Sequence, residues 1–183
     1  MILNRCLLVV CFFLSFEYVF SQSFSESFLD DTMYYEGDIA GTASFLVKEE
    51  DGTNSFVNLG GINIRSGIGL HDPDEIFFLG INSGADINYR SEIFILPVYL
   101  NAKMGFDIFD SNKIMISFGY GRSFQIGHEH LSGYFKKYSI GYGVYTEKEN
   151  FQSIFLEVNN YGFDFPNSIR GITLNLGLNY TFM

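Results

Sequence analysis

The stretch ITLNLGLNYTF, residues 172–182, decides how the rest of the chain is read. Ile172, Leu174, Leu176, Leu178, Tyr180 and Phe182 fall on one side of an extended backbone, and Thr173, Asn175, Gly177, Asn179 and Thr181 fall on the other. A period of two is the alternation of a strand; a helix would scatter the same residues around its axis. A strand tilted across a bilayer needs about 9 to 11 residues of it. The second face carries Thr, Asn and Gly without a charge, where the wet face of a soluble sheet would carry Lys and Glu. Small neutral polar groups suit the lumen of a narrow barrel whose large apolar side chains meet lipid.

Composition points the same way. The 183 residues include 21 Phe, 12 Tyr and 19 Gly, no Trp, and only 17% charged residues. Aromatic and glycine enrichment with so little charge argues against disorder and against an ordinary helical enzyme. Residues 1–21 read as a secretory signal peptide: Arg5 precedes an apolar run from Cys6 to Phe16, and Val19-Phe20-Ser21 stands before the expected cut at Gln22. That run is short for a membrane-spanning helix of about 20 residues. Both cysteines, Cys6 and Cys11, lie in this leader, so the exported chain offers no disulfide, thiolate nucleophile or cysteine metal site. The net charge of −10 makes nucleic acid an improbable partner.

Residues 22–38, with Ser23, Ser25, Glu26, Asp30, Asp31, Glu36 and Asp38, read as an acidic, flexible lead-in, and residues 39–183 as the barrel. From Ile39 the chain divides into strand-length segments separated by turn chemistry. Asp51-Gly52 is a hairpin signal, Gly60-Gly61 breaks the phase of the second segment and predicts a bulge, and His71-Asp72-Pro73-Asp74 turns the chain. In the fourth segment Pro97 lacks a backbone donor, a mark against a fully paired interior strand that a bulge there would reconcile. The fifth segment sets Ile114, Ile116, Phe118 and Tyr120 against Met115, Ser117, Gly119 and Gly121. The sixth sets Tyr138, Ile140, Tyr142 and Val144 against Ser139, Gly141 and Gly143. A seventh carries Ile154, Leu156 and Val158, and the C-terminal stretch is the eighth. The expected fold is all-β: an eight-stranded antiparallel up-and-down transmembrane β-barrel, closed because an open edge in lipid would leave backbone groups unpaired. With both ends in the periplasm, the connections near 71–75, 110–113 and 147–150 are the periplasmic turns, and those near 49–54, 88–92, 127–133 and 161–169 face outward.

With the leader, the eight hairpin-linked segments, Leu96-Pro97-Val98-Tyr99-Leu100 and the alternating aromatic end in hand, the chain resembles the small outer-membrane β-barrel proteins of Gram-negative bacteria, the porin-like or OmpA-like barrels, over roughly 39–183. The resemblance implies residence in the cell outer membrane and insertion by the outer-membrane assembly machinery, which recognises a C-terminal strand ending in an aromatic residue. Here Phe182 is followed by Met183, which displaces that pattern by one residue.

Extending each segment's phase places Arg65, Asp86, Lys103 and Glu157 on the lumen side. Two cations and two anions in a narrow interior are expected to pair into a network that fills it, because an unpaired buried charge costs several kcal/mol. Arg122, Lys136 and Arg170 fall in the outward phase near the ends of their segments, where cations meet lipid phosphates or snorkel to water. His130-Leu131-Ser132 places an imidazole and a hydroxyl two residues apart and resembles the His-x-Ser arrangement of outer-membrane lipid A deacylases. That resemblance implies His130 as base and Ser132 as nucleophile, but Gly133 stands where the family has Asn, and only Glu147 and Glu157 are loose candidates for the orienting carboxylate. His128 and His130 lack a third metal ligand. The expectation is therefore a non-enzymatic integral outer-membrane barrel with no metal or cofactor, its lumen filled by side chains, in a structural or surface-interaction role. A lipid-modifying hydrolase and a soluble barrel for an apolar ligand are the alternatives.

Overall fold

The C-terminal alternation belongs to the last of the eight antiparallel strands in the computed structural model. The structure describes residues 32–47, 56–89, 93–109, 112–126, 131–146, 150–163 and 169–183, with side chains for all of these except 44–47, 56–59, 93, 109, 163, 169 and 170. The strands are β1 (Met33–Val47), β2 (Phe56–His71), β3 (Phe77–Asn88), β4 (Ile93–Phe109), β5 (Asn112–Ile126), β6 (Ser132–Tyr145), β7 (Phe151–Phe163) and β8 (Ile169–Phe182). Each pairs with the next, and β1 closes on β8, so the sheet has no free edge. The expected signal peptide, the Asp51-Gly52 turn, and residues 22–31 of the lead-in lie outside the described residues.

The pairing fixes the shape. Followed from strand to strand, Tyr180 lies opposite Gly37, then Ser66, Ser83, Val98, Arg122, Tyr134 and Gly162, and the path returns to β8 at Arg170. The stagger around the barrel is the ten residues between Tyr180 and Arg170. With a rise of about 3.3 Å per residue and strands about 4.8 Å apart, that stagger tilts the strands by roughly 40° and climbs roughly 25 Å along the barrel axis. This climb matches the height of a transmembrane barrel's apolar band.

Side chains sort as the alternation requires, inverted relative to a soluble protein. Leu176 is 63% exposed and Ile154 60% exposed, whereas Glu157, next to the Leu156 that pairs with Leu176, is 1% exposed. Large apolar residues project outward on every strand, and Asn, Ser, Gly and charged residues fill the interior around Tyr99, Phe135 and Tyr161.

Three local expectations are decided by the pairing. The bulge at Gly60-Gly61 is present: Thr42 pairs with Gly61 and Ala43 with Leu59, which leaves Gly60 as the extra residue at φ +132°. Pro97 causes no bulge. It pairs with Ser123 on β5, while on the β3 side the ladder skips from Ser83–Val98 to Asp86–Ile95 without changing register; the strand is incompletely paired there, as the missing donor implies, with no extra residue. The lead-in read over 22–38 is corrected at its end, because β1 begins at Met33 and pairs from there with Leu70 of β2. Glu36 and Asp38 look like solvent-seeking acids in the sequence, but both are buried inside, where cations from other strands meet them.

Candidate functional site: the charged interior and the outward cations

β2 supplies the centre of the lumen. The Arg65 guanidinium donates to both carboxylate oxygens of Asp86 on β3, from Nε at 3.0 Å and Nη2 at 2.9 Å, and to Glu157 of β7 from Nη1 at 2.7 Å. A planar fork saturated by two carboxylates is the arrangement for which arginine is suited and lysine is not. Its faces are covered by the rings of Phe135 and Tyr99, with centroids 5.3 and 5.9 Å away. The Tyr161 hydroxyl donates to Asp86, and Asn159 and Asn175 each donate to Glu157 Oε1 at 2.8 Å.

Lys137 of β6 extends the network, with Nζ 2.9 Å from Glu157 Oε2 and 3.4 Å from Asp38 Oδ2. Asn179 of β8 bridges onward, donating to Asp38 and, at 3.1 Å, to Glu36. Glu36 also accepts from Asn82 at 2.5 Å, from Asn101 at 3.3 Å and from Lys103. Four carboxylates and three cations, together with five asparagines, thus link seven of the eight strands across the interior. Lys113 sits apart at the rim with Met33 and Phe182; it donates to the Glu75 carbonyl at 2.9 Å and lies 3.5 Å from Asp107 Oδ1.

The four lumen residues read from the phase are all buried and inward, but they do not form one closed quartet. Arg65, Asp86 and Glu157 meet; Lys103 instead takes Glu36, which was assigned to the lead-in. Sequence reasoning also missed Asp38 and Lys137. The signal was present in both places: stepping back from Tyr138 puts Lys137 in the inward phase, and Tyr34, Glu36, Asp38 and Ala40 alternate with Tyr35, Gly37 and Ile39.

On the outside, Arg122 of β5 and Lys136 of β6 are brought together. Arg122 is opposite Tyr134 and Lys136 opposite Tyr120, so the two cations are diagonal neighbours. They sit farther from the strand ends than expected, since Phe124 and Ile126 lie beyond Arg122 on the same outward face. Arg170 lies on β8 opposite Gly162 of β7, and its side chain is outside the described residues. So are His128, Glu129 and His130; Ser132 opens β6 opposite Phe124. Among the described residues no cluster of three His, Cys, Asp or Glu could hold a metal.

A closed eight-stranded sheet, apolar outside and charged inside, defines a small transmembrane β-barrel. The chain is similar in structure to Neisserial surface protein A, with 14% identity and a TM-score of 0.60 over 82% of this chain and 97% of that one. It is also similar to Ail, the attachment invasion locus protein of Yersinia pestis (14% identity, TM-score 0.44, 81% and 98% covered), and to a de novo designed transmembrane β-barrel (10%, 0.42, 83% and 96%). At such identities the first likeness speaks to the fold alone. No protein-family model matches the chain, and no curated protein matches it in sequence.

Proposed function

We propose that this chain is an integral protein of the Gram-negative outer membrane, non-enzymatic, with a sealed interior, acting as a structural element or through its outward loops in surface interaction. The rim with Met33, Phe182 and the 72–76 turn then faces the periplasm. Its partners are the outer-membrane lipids and, during insertion, the outer-membrane assembly machinery, and Arg122, Lys136 and Arg170 are the cations that meet lipid phosphates on the outer-leaflet side. The observation that carries this reading is the lumen network itself: opposite charges from β1, β2, β3, β4, β6 and β7 are paired across the bore. Opening a water path would strip several buried charges of their partners, at several kcal/mol each. The same polar filling disfavours a barrel that holds an apolar ligand.

Planar-bilayer recording tests the sealed interior. Purified protein should insert without steady single-channel steps, and regular openings would contradict the reading. Incubation with lipid A should leave its acyl chains intact; deacylation dependent on Ser132 would replace this reading with the hydrolase.

A further inference from the structure

The barrel's stagger converts sequence position into depth, and on one face the apolar band is interrupted. Each step along the hydrogen-bonded path from Tyr180 climbs roughly 3 Å, and each residue along a strand roughly 2.5 Å. Arg122 lies five steps up, while Lys136 and Asn160 lie two residues below the sixth and seventh steps, Tyr134 and Gly162. All three therefore stand roughly 14–17 Å above the level of Tyr180. By the same geometry Leu174 on β8, Leu96 on β4, Ala85 on β3 and Ile62 on β2 share that level, and all are apolar. At that level an apolar band about 25 Å tall therefore continues on β2–β4 and β8, but is interrupted by cations and an amide on β5–β7.

The interruption is built. An added Cβ on Gly162 would lie 1.9 Å from Tyr134 Cε1, so the tyrosine ring lies in the space the glycine leaves free. Its hydroxyl donates to Asn160 at 3.2 Å, and Lys136 Nζ sits 5.4 Å from the ring centroid. Arg122 beside them is exposed, and among the described residues it has no hydrogen-bond or ion-pair partner. Among the described residues the outward faces of β4–β8 carry no carboxylate.

We infer that Arg122 and Lys136, with Tyr134 and Asn160, form a sunken docking site for the phosphate of an anionic outer-leaflet lipid headgroup, drawing that leaflet inward against β5–β7. Two unpaired cations at hydrocarbon depth demand an anion, and the membrane around them is its source. This inference rests on the membrane reading above.

The chain contains no Trp, so Ile126→Trp just beyond the site and Ile62→Trp on the opposite face serve as single reporters. The full exported chain is folded into phosphatidylcholine vesicles containing brominated phosphatidylglycerol or, for comparison, brominated phosphatidylcholine. The Ile126→Trp reporter should be quenched several-fold more strongly by the brominated phosphatidylglycerol, Ile62→Trp equally by both, and the double change Arg122→Gln with Lys136→Gln should abolish the preference. Equal quenching at Ile126→Trp, or a preference that survives the double change, would overturn the site. Heat-modifiable gel mobility separates the two failures: an inserted barrel without lipid preference loses only this site, whereas a chain that never inserts loses the membrane reading with it.

Discussion

At Gly121 a methyl group would sit 2.1 Å from the Val98 carbonyl oxygen and 2.5 Å from the Tyr99 Cα, which belong to the neighbouring strand and cannot swing away. At Gly37, on the lipid side, the same methyl group meets nothing within 4 Å. Gly121→Ala should therefore destabilise the barrel by about 1–3 kcal/mol, and Gly37→Ala should be close to neutral; urea unfolding in lipid vesicles compares the two. In the turn after β2, Asp72 Oδ1 accepts from the Phe77 N–H at 2.6 Å, and this bond is the main cause holding its carboxyl below the usual aspartate range. The folded value is depressed, so what the bond contributes is present above the ordinary aspartate pKa and is lost as pH falls through the folded one. The Phe77 amide resonance should titrate with a midpoint below that of a free aspartate, and a midpoint at or above the free value would contradict the bond.

Among the elements, β2 shows how one residue sets register. Gly60 has φ +132° with open space around its Cα, so its requirement is conformational and not steric. Gly60→Val should cost about 1–3 kcal/mol of backbone strain and leave heat-modifiable folding slower, whereas a neutral result would mean that the bulge relaxes. The strands themselves were legible because period-two patterning survives in every one of them, from Phe77 to Ile87 as clearly as from Ile172 to Phe182. The start of β1 was not, because Glu36 and Asp38 read as solvated acids when their partners, Lys103 and Lys137, lie on strands far along the chain. Arg65, Asp86 and Glu157 were found from phase alone. Which carboxylate each cation takes depends on stagger, and stagger is a property of closure that no single strand carries. The depth of Arg122 and Lys136 was hidden for the same reason.

For the whole molecule the decisive feature is the inversion of inside and outside. Leu174, Leu176 and Leu178 are exposed while Asn175 between them is buried, an ordering that water would penalise and hydrocarbon rewards. The two native cysteines lie in the expected leader, so single cysteines introduced along residues 174–179 of the exported chain stand alone, and each can carry an environment-sensitive fluorophore in reconstituted vesicles. Labels at positions 174, 176 and 178 are expected to report hydrocarbon and to be quenched by lipid-borne quenchers, and those at 175 and 179 to be shielded from them. Lipid contact at 175 and 179 with water at 174, 176 and 178 would contradict the account.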